Sequence, residues 1–337
     1  GNREAKSILI EGLKRLEYRG YDSAGVALVE PCGELQRARS VGRVLGLEEL
    51  VADGFNGSLG IAHTRWATHG GVSKPNAHPH VDDPKLGHGV TLVHNGIIEN
   101  YSSIKQWLLK KNHVFESETD TEVLAHLIGE LYDGDLEKAV QAALREVTGA
   151  YALAVICAKE PETLVVARKG SPLMVGVGAD EYVVASDSSA IVAHTKQAFT
   201  LEDYTVAKIT RDSMRTSTVD NVEITPEIRE LEVDLEEIEL GSFEHYMLKE
   251  IYEQPEAIKR CFQGRLDLRD GQVRLGGISE FARKLANAKR VVFIGQGTAL
   301  HAAMIGEYLI EHIAKIPAEV EFASEFRYRN PIVEPGT

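Results

Sequence analysis

Cysteine is scarce in this 337-residue sequence. Cys32, Cys157 and Cys261 are its only three, spaced for neither a disulfide framework nor a zinc knuckle, which fits a reducing compartment. Long apolar runs are missing too: no stretch approaches the roughly 20 residues that span a bilayer. The opening GNREAKSILIEG has the pattern of an amphipathic helix, not of a secretion signal, so a cytoplasmic location without membrane contact is expected. Basic residues are outnumbered 37 to 51, and the net charge of −14 would repel a phosphate backbone over most of the surface. Nucleic acid is therefore not an expected partner. What the sequence does have is 43% hydrophobic residues, enough for more than one core, and two domains are expected.

Ala5, Ile8, Leu9, Leu13 and Leu16 recur at helical spacing, and Arg19-Gly20-Tyr21 reads as a stop. Strands are expected over Ala24–Val29, Leu59–Thr64 and Val90–His94, the last ending in Asn95-Gly96, a pair that readily adopts positive φ. Helices follow around Ile104–Lys111, Thr121–Tyr132 and Leu136–Val147. From Ala150 to Val219 the pattern is mostly that of strands, as in YALAVIC, TLVVA, LMVGV, EYVVA and TVAKI, with one short helix near Ser188. Helices in one block and antiparallel strands in two predict sheets packed face to face with helices outside, an α+β layered fold.

Residues 223–245 contain nine acidic residues and a single basic one, Arg229, and read as a solvated connector. A first domain over 1–225, an acidic linker over 226–245 and a second module over 246–337 are expected. The second module should hold a helix through YMLKEIYEQPEAIKRCF, another over Ile278–Ala288, the strand VVFIG at 291–295, a helix over Leu300–Ile313 and a strand near Val320. That is the start of a βαβ unit; two parallel strands do not make a domain, so the module is expected to be cut short.

The stretch HTRWATHGG, His63–Gly71, packs unusual chemistry into the end of a strand and a loop. Arg65 can offer a planar fork to a carboxylate, Trp66 can cover a small ligand from water, and the hydroxyls of Thr64 and Thr68 can hold a polar group. Such a loop suits an amino acid. The plainer reading makes Trp66 a core anchor and Arg65 a surface ion pair. By the same standard Asn95-Gly96 alone is a hairpin turn, and Asp120, between Thr119 and Thr121, is a helix N-cap.

Three more segments, RLEYRGYDSAG (15–25), HNGIIENY (94–101) and SETDTEVLAHL (117–127), change that balance. Together with HTRWATHG they resemble the glutaminase domain of the glutamine:fructose-6-phosphate aminotransferases, class II amidotransferases. EIYEQP (250–255) and ASEFRYR (323–329) look like the linker helix and first sugar isomerase (SIS) module of the same family. The resemblance implies a four-layer αββα N-terminal-nucleophile (Ntn) hydrolase sandwich followed by the first part of an α/β SIS domain. It implies Asn95 and Gly96 as an oxyanion hole, Arg65 on the glutamine α-carboxylate and Asp120 on its α-amino group. Trp66, Thr68 and His69 would line a mobile loop over glutamine, and Arg19 would lie near the catalytic centre. Glutamine and fructose 6-phosphate are the implied substrates, a homo-oligomer (a dimer) the implied assembly, and no metal or organic cofactor is required.

The nucleophile of the family is the first cysteine of a Cys-Gly-Ile-Val-Gly strand, whose free α-amine, pKa near 7.7 to 8.0, can take the thiol proton. Here the spacing places that cysteine several residues before Gly1. Cys32, in the turn Glu30-Pro31-Cys32-Gly33, and Cys157, in an apolar strand, cannot replace it. As written, the chain is expected to bind glutamine better than it hydrolyses it, and a non-catalytic binding module is one alternative. Gly297 and Thr298, at a strand-to-helix junction, suit a sugar phosphate; Ala299 stands where the family has a serine, and His301 stands where a dinucleotide fingerprint needs its third glycine. A last alternative, a metal-dependent hydrolase, rests on His63, His69, His78, His80, His88 and His94, although HExxH is missing.

Overall fold

The computed structural model describes residues 3–67, 70–231, 241, 243–262, 265–267, 271–273 and 281–337. Thr68 and His69, and residues 278–280 of the helix expected from Ile278, lie outside them. The chain divides into two compact units, Gly1–Gly241 and Ser242–Thr337.

The first unit opens with helix α1 (Ala5–Leu16), whose Ile10 and Leu13 are buried. Strands β1 (Ser23–Val29), β2 (Leu35–Val41) and β3 (Leu59–Arg65) form an antiparallel sheet in the order β2-β1-β3, with helix α2 (Val44–Leu50) after β2. Neither β2 nor α2 is marked by an apolar run in the sequence: β2 is LQRARSV and only half-buried. The turn between β1 and β2 is the one expected around Cys32, closed by Gly33 N–H donating to Glu30 O at 2.8 Å.

A seven-stranded antiparallel sheet forms the centre. Its strands are β4 (His80–Val81), β5 (Val90–Ile98), β6 (Gly149–Cys157), β7 (Glu160–Lys169), β11 (Thr205–Ile209), β12 (Met214–Thr218) and β13 (Glu223–Ile224), in the order β13-β12-β11-β7-β6-β5-β4. A third sheet, β14-β10-β8-β9, is made of β8 (Met174–Val177), β9 (Tyr182–Ala185), β10 (Gln197–Thr200) and β14 (Arg229–Glu230). Part of the acidic run is thus sheet: Glu223–Ile224 pair with β12, and Arg229–Glu230 pair with β10.

Alternation along the strands explains the layering, because successive side chains point to opposite faces. On β6, Tyr151, Leu153, Val155 and Cys157 join a core with helices α3 (Tyr101–Lys110), α4 (Asp120–Glu130) and α5 (Leu136–Glu146). Ala152 and Ile156 instead join Ala27, Val29 and Ile61 of the first sheet and Val175 and Phe199 of the third. On β1 the pattern repeats: Ala24, Val26 and Leu28 meet Ile10, Leu13, Val44 and Leu47 of α1 and α2. With both faces covered, β1 is buried along its whole length, which is why SAGVALV reads as a continuous apolar run. The result is four layers, helices on sheets on sheet on helices: the αββα sandwich expected.

Two local expectations need correcting. Strand β5 does not stop at His94; it continues through Asn95 and Gly96 to Ile98, in register with Ala152, Tyr151 and Gly149 of β6. The Asn-Gly pair is not a turn because its neighbours keep sheet pairing on both sides, and Gly96 meets the positive-φ requirement inside the strand, at φ 141°. Second, the N-cap of α4 is Thr119, whose Oγ1 accepts from Glu122 N at 3.3 Å; Asp120 is the first helical residue. Its carboxylate is turned elsewhere, as described below.

In the second unit, helix α6 (Tyr246–Phe262) follows the expected pattern. Two short strands, β15 (Leu266–Asp267) and β16 (Gln272–Val273), pair with each other, and the expected helix over Ile278–Ala288 appears as α7 (Ala282–Ala286). Strand β17 (Val291–Gly295), helix α8 (Thr298–Leu309) and strand β18 (Ala318–Phe322) make the anticipated parallel βαβ unit, followed by α9 (Ala323–Tyr328). Its apolar side chains are poorly covered: Ile294, Ile305 and Ile313 are all more than half exposed.

Candidate active site

A cavity of about 520 Å³ opens in the first unit, between the two smaller sheets and the central one. Period-two alternation aims its polar lining. Ile61, His63 and Arg65 share the inner face of β3, and Val93 and Asn95 share that of β5; Ile61 and Val93 belong to both the core and the cavity wall, while the residues beyond them supply its polar lining. Arg19, His63, Arg65, Trp66, Asn95, Gly96 and Asp120 all border this one space.

Arg65 is buried, which overturns the surface-ion-pair reading. Its guanidinium donates to Gly70 O and Gly71 O, both at 3.3 Å, so it also holds the loop that follows it. Burial pulls its pKa down, and the carboxylates of Asp22 and Asp120 act in the other direction. Trp66 is 57% exposed, so it is no core anchor. Its ring meets Tyr21 edge-on with centroids 5.5 Å apart, and Asp22 Oδ2 accepts from Ala67 N at 2.8 Å, so RGYD braces the start of the loop. The far side of the loop is braced by Asn76 Nδ2, donating to Gly71 O at 2.9 Å and Glu118 Oε2 at 3.2 Å.

Asp120 is buried at the start of α4, where backbone amides favour a negative charge. Its Oδ2 accepts from Ile98 N at 2.8 Å, tying the helix to the end of β5 just beyond Gly96. The space at Gly96 is fully used: a Cβ there would sit 2.0 Å from Ala150 O and 2.9 Å from His94 Nε2. Arg19 stands at the rim, paired with Asp187 and donating to the Tyr18 hydroxyl at 2.7 Å.

Four of the clustered histidines, His63, His78, His80 and His94, lie in a chain of contacts; His88 packs against Tyr132, and His69 lies outside the described residues. His63 Nε2 lies 2.8 Å from Asn95 Oδ1; the His63 ring stacks on His78 at 4.2 Å and 17°. His78 Nδ1 accepts from His94 N at 3.3 Å, His94 Nδ1 meets Thr121 Oγ1 at 3.1 Å, and His80 Nε2 meets Thr119 Oγ1 at 3.1 Å. Burial is the first cause of low pKa in every one: His63 is pushed down to about 4, His78 and His80 well below their ordinary value, and His94 down as well. Among the described residues the groups able to gather a metal ion, Asp83 with His113 and His126 and Glu30 with Cys32 and Glu34, include none of these histidines.

Neither His63 nor His78 stands out from the other histidines in the sequence, although HTR already places His63 and Arg65 two residues apart on one strand face. Gly297 and Thr298 are not among the cavity's lining residues; Gly297, at φ 58°, precedes the first residue of α8, Thr298.

Residues 52–245 match the family of the glutamine amidotransferase domain. The chain belongs to the glutamine amidotransferase family. Residues 284–337 match the SIS domain. The chain is 51% identical over 341 residues to the glutamine--fructose-6-phosphate aminotransferase [isomerizing] of Chlorobaculum tepidum, covering 99% of this chain and 55% of that protein. It is 48% identical over 339 residues to the enzyme of the same name from Bacteroides thetaiotaomicron, with 99% and 55% covered. The chain thus spans about half the length of the curated relatives it matches. Among solved structures, the glutamine phosphoribosylpyrophosphate amidotransferase from B. subtilis complexed with ADP and GMP aligns at TM-score 0.58 and 23% identity, over 95% of this chain and 64% of that one. The allosteric regulatory enzyme of purine biosynthesis aligns at TM-score 0.56 and 28% identity, over 63% and 46%. These likenesses support the Ntn-hydrolase architecture of an amidotransferase.

Proposed function

We propose that the first unit is the glutaminase of a glutamine:fructose-6-phosphate aminotransferase. In the whole protein it releases ammonia from glutamine and passes it to fructose 6-phosphate, giving glucosamine 6-phosphate for amino-sugar biosynthesis. The observation that carries this reading is convergence: the Arg65 fork, the Asp120 carboxylate and the Asn95-Gly96 pair border one cavity of about 520 Å³, ample for one amino acid. Arg65 pairs with the α-carboxylate of glutamine and Asp120 with its α-ammonium, which leaves the side-chain amide directed at Asn95. Asn95 Nδ2 and Gly96 N–H then meet the oxyanion of the tetrahedral intermediate. Trp66 closes over the bound amino acid, with Thr68 and His69 in the same loop, and Arg19 orders the rim.

A nucleophile has a place to enter. Among the described residues β3 has a strand partner only in β1, and β9 only in β8; both open edges border the cavity. On this reading a strand carrying an N-terminal cysteine pairs at these edges and brings the thiol to Asn95. Its thiolate attacks the glutamine amide carbon, the α-amine returns the proton to the leaving ammonia, and water cleaves the thioester to glutamate. Gly297 and Thr298, at the start of α8, contribute to the sugar-phosphate site of the SIS domain. We take the protein to be a cytoplasmic homodimer that uses no cofactor; no described helix is long and apolar enough to cross a membrane.

The test is glutamine hydrolysis by the chain extended upstream to an N-terminal cysteine. Glutamate and ammonia should appear in equal amounts, and replacing that cysteine by alanine should abolish the reaction while leaving glutamine binding by calorimetry intact. An extended chain that binds glutamine without cleaving it would leave only a binding module.

A further inference from the structure

We propose that His63 is a positioning residue for the oxyanion hole: its Nε2–H donates to Asn95 Oδ1 and so fixes Nδ2 as the amide atom presented to the substrate. The inference rests on the glutaminase reading above and adds to it the group that sets the polarity of the hole.

A carboxamide is nearly symmetric in shape and opposite in chemistry at its two ends. Nδ2 stabilises a developing negative charge; Oδ1 in the same place would repel it. Asn95 therefore works in only one of two orientations, and something must choose between them. Oδ1 can only accept, so the 2.8 Å contact requires the proton of His63 to be on Nε2. Among the described residues, nothing else accepts from or donates to the Asn95 side chain. Flipping the amide would set N–H against N–H and lose the bond.

The His63 ring can hold this role because it is fixed and neutral. It stacks on His78, whose Nδ1 accepts the backbone N–H of His94, so the pair holds Asn95 at its side chain and the strand at the backbone N–H of the residue before it. Gly25 makes room for the backbone of His78: a Cβ there would fall 2.0 Å from His78 O. Burial leaves the ring one proton at neutral pH. His63 Nδ1 is buried with no hydrogen-bond partner within reach, so a ring carrying its proton there would leave both that N–H and Asn95 Oδ1 unsatisfied. The tautomer is thereby set by surroundings that have nothing to do with glutamine.

The experiment uses the full enzyme with its N-terminal cysteine. His63→Phe keeps the stacking shape and removes the donor; His63→Gln keeps a donor. His63→Phe should lower kcat for glutamine hydrolysis about 10²-fold, the scale of losing one oxyanion donor, with KM changed less than about threefold. His63→Gln should recover at least a tenth of the wild-type kcat. In an Asn95→Ala background His63→Phe should cost less than about threefold, because the group it positions is gone. Undiminished kcat in His63→Phe, or an equal loss with and without Asn95, overturns the proposal. Nitrogen-edited NMR of the unmodified protein gives a readout free of activity: His63 should be the neutral Nε2–H tautomer between pH 6 and 8, and an Nδ1–H tautomer overturns the proposal even if glutamine is hydrolysed. A wild-type enzyme that shows the expected tautomer yet does not cleave glutamine would sink the glutaminase reading instead, and with it the positioning role of His63.

Discussion

The carboxylate of Asp120 accepts the backbone N–H of Ile98 at 2.8 Å, and this bond joins the residue proposed to hold the substrate's ammonium to the strand that carries the oxyanion hole. One side chain thus has a structural and a binding task, and the two can be separated. Asp120→Ala orphans a buried N–H and should cost about 1–3 kcal/mol of stability. Asp120→Asn keeps an oxygen for Ile98 and should fold with nearly unchanged stability while binding glutamine at least about tenfold more weakly, since the charge is gone. Chemical denaturation alongside glutamine titration checks both. Equal destabilisation by the two variants would mean that the charge itself, not the hydrogen bond, holds the strand.

Gly96 should tolerate no side chain. Its φ of 141°, and the mere 2.0 Å that would separate an added Cβ from Ala150 O, leave alanine both strained and overlapping with strand β6. Gly96→Ala should lose at least about 2 kcal/mol of stability and most glutaminase activity in the extended chain. A variant with unchanged melting temperature would show that β5 can shift to make room, and would weaken the case for a rigid oxyanion hole.

How much of this could be read without coordinates depended on whether residues signal through periodicity. The αββα layering was legible because strands covered on both faces read as apolar runs, SAGVALV and YALAVIC among them. Strand β2 was not, because one edge of LQRARSV stays near solvent and its arginines, Arg37 and Arg39, are spent on the carbonyls of Pro79, Pro75 and Ala77. The convergence of Arg65, Asn95 and Asp120 was legible only through the motifs that carry the family resemblance; spacing alone made Asn95-Gly96 a turn and Asp120 a cap, and both readings failed. The turn reading failed because tertiary pairing with β6 overrode it, and the cap reading because the Thr119 hydroxyl takes that place. The His63–Asn95 contact joins residues on strands of two different sheets, a relation that no pattern within either strand announces.

Trp66 offers an optical report on glutamine. At 57% exposed and touching Tyr21, it has water to lose if the loop closes; Trp107, 41% exposed on α3 with Lys111 over its ring, lies outside the cavity lining. Adding glutamine should shift tryptophan emission to shorter wavelength with a saturable dependence. The shift should persist in Trp107→Phe and vanish in Trp66→Phe. Persistence in Trp66→Phe would remove the indole from the proposed closure.

Buried neutral histidines should also make the fold acid-sensitive in a window set by their own titration. In the unfolded chain each histidine protonates near pH 6.5, whereas in the folded protein burial moves His63 and His126 down to about 4 and holds His78 and His80 well below their ordinary value. Between those limits the unfolded state binds more protons, so stability rises with pH. It should be complete above about pH 7, begin to fall below about 6.5 and be lost progressively toward pH 4, each histidine contributing a slope of at most about 1.4 kcal/mol per unit. Denaturant unfolding at pH 8, 7, 6 and 5 tests this, since a carboxylate-driven loss would start a full unit or more lower. His126→Gln should shallow the slope between pH 6.5 and 5; a stability flat down to pH 5 would mean that these rings already carry their second proton in the folded state.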